Sequence, residues 1–241
     1  MSCYLYIDCS TINHLYKTGK CMGNNACRDS RNSRSDYSKR NSSKDKREMK
    51  NLIVIGHPNK ESFCHNGIVK TIEETLRYYG EDTHVIDLYA DKFSPSRWYK
   101  NEKLAKRYQD LITEADRIYF VSPVWWFRMT SLMEGFFDQV LTPGFAYKFK
   151  QLTKYYGMPI PLLGKKKVRT YLTHGAPALP VLTLYVNSVR LRLEMGVYSF
   201  VFGWFKTKIR QFWSVPFVSD EKRKKYLKRV EKDIRKDLGI K

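Results

Sequence analysis

The sequence predicts an α/β fold: a five-stranded parallel sheet of order 2-1-3-4-5 with helices on both faces. Three observations predict it. From Met49 onward, short aliphatic and β-branched runs alternate with segments of helical periodicity, the pattern of repeated strand–helix units. The first run, residues 52–55 (Leu-Ile-Val-Ile), is unbroken, as in a strand buried on both faces. The motif Ser122-Pro123-Val124-Trp125-Trp126-Phe127 directly follows an apolar run and directly precedes a helical pattern. It therefore places large flat side chains at the carboxyl end of a strand, where open α/β sheets bind ligands. Taken alone, the two tryptophans suit a hydrophobic core equally well.

Each element has its own signal. Composition changes sharply near Met49: residues 19–48 are rich in Asn, Ser, Arg, Lys and Asp and nearly free of aliphatics. Such a segment has too little apolar surface to offset the entropy of ordering. Residues 1–48 are expected to be a disordered basic extension, and residues 49–241 a single folded domain beginning at Met49. A basic targeting tail is the competing reading of the extension. After the first strand, a loop at 56–61 leads to a helix with Ile68, Ile72, Leu76 and Tyr79 on one face, Ser62 as N-cap and Gly80 as its stop. Residues 83–88 form a shorter, more polar strand, expected at an edge. A helix over 99–113 follows the turn-like 93–96. The third strand is 117–121, and the third helix, 131–141, ends at Thr142-Pro143-Gly144. Residues 145–166 are a long excursion of the kind that is usually functional or mobile. The fourth strand is 168–173, and 181–195 reads as helix. Of the two apolar runs 197–202 and 209–215, one must supply the fifth strand. A closing helix over 220–238 carries Leu227, Val230, Ile234 and Leu238 on one face.

Composition narrows the function. The chain has 241 residues, 42% of them hydrophobic and 15% aromatic, enough for one domain with a real core. No apolar run reaches the ~18 residues that span a bilayer; the best candidate, 181–205, is broken by Arg190, Arg192 and Glu194. With no secretory pattern after Met1, a cytoplasmic protein is expected. The cysteine spacings match neither a disulfide framework nor a zinc site, and no metal is expected. The net charge of +20 attracts polyanions and phosphorylated cofactors. No nucleic-acid recognition motif accompanies it, and many lysines of the closing segment share helix faces with Asp and Glu. A nucleic-acid partner is therefore not expected.

In this topology the loops after the first, third and fourth strands leave the sheet at one edge, beside the switch point. The first, with His57, Lys60, Ser62, Phe63 and Cys64, opens a helix whose N-terminus suits a phosphate. An ordinary capped helix reads the same way. The second, Pro123 to Phe127, offers aromatic walls. The third, Thr173-His174-Gly175-Ala176, offers a hydroxyl and a glycine that lets backbone approach a ring. Phosphate at one end and two loops around a flat ring is the layout of a flavin nucleotide site.

From Lys50 onward the chain resembles the flavodoxin-like NAD(P)H:quinone oxidoreductases, including the modulator-of-drug-activity and potassium-efflux ancillary types. The matching residues are His57-Pro58 with Ser62-Phe63, the block from Pro123 to Tyr147, Leu163-Gly164-Lys165-Lys166, and Thr173-His174-Gly175. The resemblance is good to Ala176 and weak beyond it. It implies that His57, Ser62, Phe63 and Cys64 lie on the phosphate side of a flavin. It further implies that Pro123, Val124, Trp125, Trp126 and Phe127 hold the ring, and that Thr173, His174, Gly175 and Ala176 meet its far edge. The family's asparagine after Ser-Phe is Cys64 here. The tyrosine and histidine of mammalian members have no clear counterpart in residues 177–185, so no protein acid or base is assigned. The resemblance implies hydride transfer from NAD(P)H through the flavin to a quinone or similar small-molecule acceptor, and a homodimer. The resemblance also implies FAD, because the first loop, His57 to Phe63, matches in length the FAD-binding members of the family, with FMN as the alternative. A second reading is a flavin-binding regulatory partner of a membrane transport protein, docking through residues 182–205. Removing residues 1–48 is expected to leave a soluble, flavin-binding protein; loss of soluble, flavin-loaded material on that deletion would overturn the boundary.

Overall fold

The computed structural model describes residues 50–96 and 101–240. The expected extension, residues 1–48, and the start at Met49 lie outside the described residues. Along the chain the strands are β1 (Asn51–Ile55), β2 (Thr83–Asp87), β3 (Arg117–Pro123), β4 (Tyr147–Thr153), β5 (Tyr156–Pro161), β6 (Lys167–Thr173) and β7 (Thr207–Phe212). Five of them form one parallel sheet in the order β2-β1-β3-β6-β7, while β4 and β5 pair as an antiparallel hairpin. This is the 2-1-3-4-5 order the alternation predicted, with β2 at the edge.

Side chains alternate across the sheet, so each strand feeds two cores. Leu52, Val54, Ile118, Phe120, Val168 and Leu172 face one layer. It contains α2 (Glu102–Glu114) and α3 (Ser131–Val140). Ile53, Ile55, Tyr119, Val121, Tyr171 and Phe212 face the other. Two helices cover that second face. α1 is a π-helical stretch, Phe63–Val69, continuing as the α-helix Lys70–Tyr78; α6 is Asp220–Asp237. Ser62 caps α1 as expected, accepting from the His65 N–H at 3.3 Å. Gly80, at φ +71°, turns the chain back after it.

The structure corrects one expected helix and decides two points the sequence left open. The excursion 145–166 is ordered locally as the β4–β5 hairpin, because alternating side chains at 147–152 and a tight return at 154–155 permit cross-strand pairing. The fifth strand comes from the run near Ile209. The run 197–202 is helical instead, with Tyr198, Val201 and Phe202 in the first core. The helix expected over 181–195 is broken. α4 (Ala178–Thr183) ends before a turn at Val186-Asn187, both at positive φ. A second helix, α5, then runs through Ser188–Leu191, the π-helical Arg192–Tyr198 and Ser199–Val201. The helix expected to start at residue 99 is described from Glu102, with Asn101 capping the Leu104 N–H at 3.1 Å.

α6 docks through charge as well as apolar contact. Buried Arg169 of β6 donates to both carboxylate oxygens of Asp237, at 2.6 and 2.7 Å, and lies 3.2 Å from Asp233. Arg210 of β7 clasps Asp233 with both arms of its guanidinium, and Lys208 reaches Asp237 at 2.9 Å. Burial alone would raise the Asp237 pKa, but Arg169 and Lys208 together hold it below the usual carboxylate value. Removing one member of such a buried set strands the others without water or partner. Asp237→Ala is expected to cost about 3–5 kcal/mol in chemical denaturation. Lys208→Ala, at the exposed margin of the same network, is expected to cost about 1 kcal/mol or less.

Candidate functional site

Parallel pairing of β3 with β6 runs to Pro123 opposite Thr173 and continues one step beyond. There the Val124 N–H donates to the Thr173 carbonyl at 2.8 Å. The Gly56 N–H donates to the Val121 carbonyl at 3.0 Å, and Thr130 Oγ1 donates to the Gly56 carbonyl at 2.9 Å. A Cβ on Gly56 would lie 2.8 Å from that hydroxyl, so the close approach needs glycine. The Cys64 thiol meets Thr173 Oγ1 at 3.3 Å, and the His57 and Trp125 rings sit 6.1 Å apart, edge to face. The three loops expected to share an edge are bonded to one another there.

The second loop holds an unusual turn. Trp125 and Arg128 exchange both backbone hydrogen bonds, at 2.8 and 3.1 Å. Between them, Trp126 and Phe127 have φ of 51° and 58°. Positive φ at both central positions is the type I′ turn, which normally takes Asn-Gly. An L-residue there costs roughly 1–2 kcal/mol, and strain of this kind gathers at functional sites. The turn carries Trp126 into solvent, 68% exposed, beside exposed Trp125 and Phe127. The tryptophans are not core.

The remaining expected residues divide by where their side chains point. Phe63 packs edge-on against Phe212 at 6.4 Å, and Cys64 is buried under the loops. His174 is buried, stacked on Trp213 at 4.2 Å. Pro123 is buried in β3, Val124 is half-buried, and Thr173 is buried at the end of β6. Ser62 Oγ accepts the cap bond of α1, which leaves its hydroxyl proton as a donor. Lys60, which the sequence placed near a phosphate, pairs instead with Asp87. Gly175 and Ala176 are exposed, and a Cβ on Gly175 would meet nothing within 4 Å. The open face is thus made by the Trp125–Phe127 rings and the Gly175-Ala176 backbone, with His57 at one side.

Several residues here were not anticipated. Tyr185 lies over Phe127, ring centroids 4.3 Å apart. It precedes a second turn of positive φ, Val186-Asn187, closed by the Ser188 N–H to the Tyr185 carbonyl at 2.9 Å. Asn187 and Gln211 exchange amide hydrogen bonds at 2.9 Å, and the Gln211 amide reaches His174 Nε2 at 3.0 Å. With the amide nitrogen as donor, Nε2 accepts, and the imidazole carries its proton on Nδ1. Glu134 accepts from the Met129 N–H at 3.0 Å and pairs with Arg192, tying the aromatic loop to α5. Apart from the turn-prone Asn187, no local sequence signal marks these residues. They meet only through the fold.

A match to the flavodoxin-like fold family covers residues 49–183. The chain belongs to the flavodoxin-like fold family. Among curated relatives, it is 29% identical over 137 residues to an uncharacterized NAD(P)H oxidoreductase of Haemophilus influenzae, covering 53% of this chain and 65% of the relative. It is 28% identical over 154 residues to NAD(P)H dehydrogenase (quinone) 1 of Cavia porcellus, covering 53% and 54%. The chain thus matches less than two thirds of either relative's own length. The crystal structure of Smu.1420 from Streptococcus mutans superposes with a TM-score of 0.65 at 29% identity, covering 78% of this chain and all of that one. An FMN-dependent NADH-azoreductase from Bacillus anthracis, solved in complex with FMN, superposes with a TM-score of 0.60 at 16% identity, covering 78% and 98%. That last likeness is one of fold.

The flavodoxin-like domain keeps the imidazoles and the thiol of this edge neutral. Burial, then the neighbouring His65, lower the His57 pKa to about 4, against the ring's hydrogen bond to the Asn59 carbonyl. Burial alone lowers His174 to about 4, and burial also lowers His65. Burial pushes the Cys64 thiol up to about 12 despite its bond to Thr173, so it is not a thiolate at neutral pH. In the unfolded chain each imidazole takes up a proton from about pH 6.5 downward. Between that value and about 4 the native state binds fewer protons, and its stability falls as pH falls. Melting temperature is expected to drop from pH 7 to pH 5. His174→Gln is expected to flatten that slope; an unchanged slope would show that His174 is not held neutral.

Proposed function

We propose that this chain is a flavin-dependent NAD(P)H oxidoreductase of the quinone-reductase type. The observation that carries the reading is the Trp126-Phe127 turn, held at positive φ so that its rings line an open face opposite Gly175. A flat ring would lie between them, and the open space at Gly175 leaves room for backbone contact. Ser62 and His57, at the start of α1, would take the phosphate end. Trp125, Trp126 and Phe127 would line the ring, with Tyr185 bracing Phe127, and Gly175 and Ala176 would meet its far edge. Cys64, Thr173 and His174 lock the loops from behind. A bound flavin would supply two-electron chemistry between NAD(P)H and a quinone or similar acceptor. The chain's own part is to bind, orient and keep neutral groups around it. The relatives' names support this reading.

FMN is proposed in place of the FAD inferred from loop length. The azoreductase that shares this fold carries FMN, and Lys60 is engaged by Asp87 rather than free for a second phosphate. A homodimer is proposed as the working form, because Leu179, Leu184 and Val186 beside the site are strongly exposed. Phe149, Leu152, Tyr155 and Tyr156 within 145–156, and Trp204 and Phe205 within 197–213, are further exposed apolar surface, whereas Val201, Phe202 and Phe212 belong to the core.

The purified full-length chain is expected to show oxidised-flavin absorbance that NADH or NADPH bleaches, and acid release should yield FMN. Trp126→Ala is expected to weaken flavin binding by about ten- to hundredfold, roughly 1–3 kcal/mol of aromatic contact. Gly175→Val should weaken binding while the flavin-free protein melts as before, since its side chain meets open space. Unchanged affinity in both variants would end the site assignment, and FAD alone in the extract would reverse the choice of nucleotide.

A further inference from the structure

α6 carries its charges on two different sides. On the inner side Tyr226, Val230 and Ile234 are buried together with Asp233, and Leu227 packs against the same core. Asp233 and Asp237 are held on that side by Arg169, Arg210 and Lys208. In the sequence these two carboxylates stand among the lysines of the closing segment, as if to neutralise one surface; folding takes them out of it. What stays outside is a row at the spacing i, i+3, i+7, i+10 and i+14: Lys222, Lys225, Arg229, Lys232 and Lys236, all exposed. Residues at that spacing share one side of a helix, and every position of the row is a cation. Asp220 is engaged by Arg223 at 2.8 Å, and Glu221 and Glu231 lie off the row. Among the described residues none of the five cations is in an ion pair.

The row selects among polyanions. At 1.5 Å per residue it is about 21 Å long. A nucleic-acid duplex carries one charge per about 1.7 Å of its axis, so a segment of that length presents about a dozen phosphates to the five cations. That density of charge holds a condensed layer of counterions, and their release favours each contact between a cation and a phosphate. An acidic polypeptide has no such layer, and exposed ion pairs with it contribute little. A bilayer takes up a helix through an apolar face, and the apolar face of α6 is buried in the core. An unpaired strand stacks its bases on aromatic side chains, and the row has none; Tyr226, the one aromatic residue of α6, is buried. Residues 1–49 hold ten Lys and Arg against five Asp and Glu, so they bring no net negative charge to the row.

We propose that the outer row of α6, from Lys222 to Lys236, binds the phosphate backbone of duplex nucleic acid. Cations that meet phosphates position a protein on the duplex but carry no sequence information, so binding is indifferent to sequence. A nucleic-acid partner was not expected while the lysines of this segment shared their faces with Asp and Glu. The inward turn of Asp233 and Asp237 removes that ground. The row is independent of the catalytic reading above.

Fluorescence anisotropy of the full chain with a labelled DNA duplex of about 25 base pairs, in roughly 50 to 200 mM salt, tests the proposal. Five phosphate contacts should make log K fall against log salt with a slope of about −4.5 or steeper. Lys225→Gln with Lys232→Gln should flatten that slope by about 1.8 and weaken binding about tenfold or more at the lower salt. Lys103→Gln with Arg107→Gln, on α2, removes the same charge elsewhere and should leave affinity within about twofold. Melting temperatures should not change, because all four side chains are exposed. No salt-dependent duplex binding by the folded parent protein would overturn the proposal. So would equal losses in the two variants, which would make net charge the cause, or no loss in either, which would put binding on other residues. Tighter binding of a single strand of the same length, or of polyglutamate, that only the Lys225 and Lys232 substitutions weaken would also overturn it and give the row to that partner.

Discussion

The hydrogen bond from the Val124 N–H to the Thr173 carbonyl, at 2.8 Å, extends the β3–β6 ladder one residue past the strands. Loops usually escape the sheet as soon as pairing ends. Here pairing continues into them, so the aromatic loop and the Gly175 loop leave the sheet from one shared point. The Gly56 N–H on the Val121 carbonyl and the Cys64–Thr173 contact bring the first loop to the same place. A slip of one residue in this register would turn every side chain of β6 to the other face. It would also separate Thr173 from Cys64.

Strain is affordable where neighbours over-determine the backbone. Trp126 and Phe127 sit in a region of φ that bulky residues rarely enter. Trp125 and Arg128 close the turn from both sides, Glu134 holds the exit at Met129, and Tyr185 rests on Phe127. The second such turn, Val186-Asn187, is held in the same manner by the Asn187–Gln211 amide pair, which continues to His174 and Trp213. The two strained turns therefore support one another across Phe127 and Tyr185. Rigid presentation of aromatic faces lowers the ordering cost of binding a ring.

The molecule separates its chemistry by edge. At the carboxyl edge, burial keeps imidazoles neutral and the thiol protonated, while the cation of the first loop is matched by Asp87. At the amino edge, Lys148, Lys150 and Lys154 stand among exposed aromatics and are in no ion pair among the described residues. On the face between, Arg169, Arg210, Asp233 and Asp237 neutralise one another as the clamp that seats α6. Among the described residues the buried charges, Arg117, Arg169 and Asp233, are thus each paired, as the cost of burying unpaired charge requires.

By itself, the sequence determined the strand order, the capped start of α1 at Ser62, the edge position of β2 and the meeting of three loops. Each of these depends on local periodicity, a cap, or the rule that parallel strands release their loops at one edge. What it left open was decided by contacts between distant segments. The runs 197–202 and 209–215 are equally apolar. Only packing sends Tyr198 and Phe202 into the core as helix and leaves Ile209 to pair with Thr170. The composition of 145–166 carries no strong turn dipeptide, so the hairpin emerges only when its two halves pair. Trp126 and Phe127 would be read as core from hydrophobicity. Their exposure follows from a backbone conformation that no propensity favours and that only the surrounding hydrogen bonds sustain. Tyr185, Gln211 and Trp213 reach the site from beyond the recognisable motifs, because the sheet returns the chain to the edge from which the first three loops left.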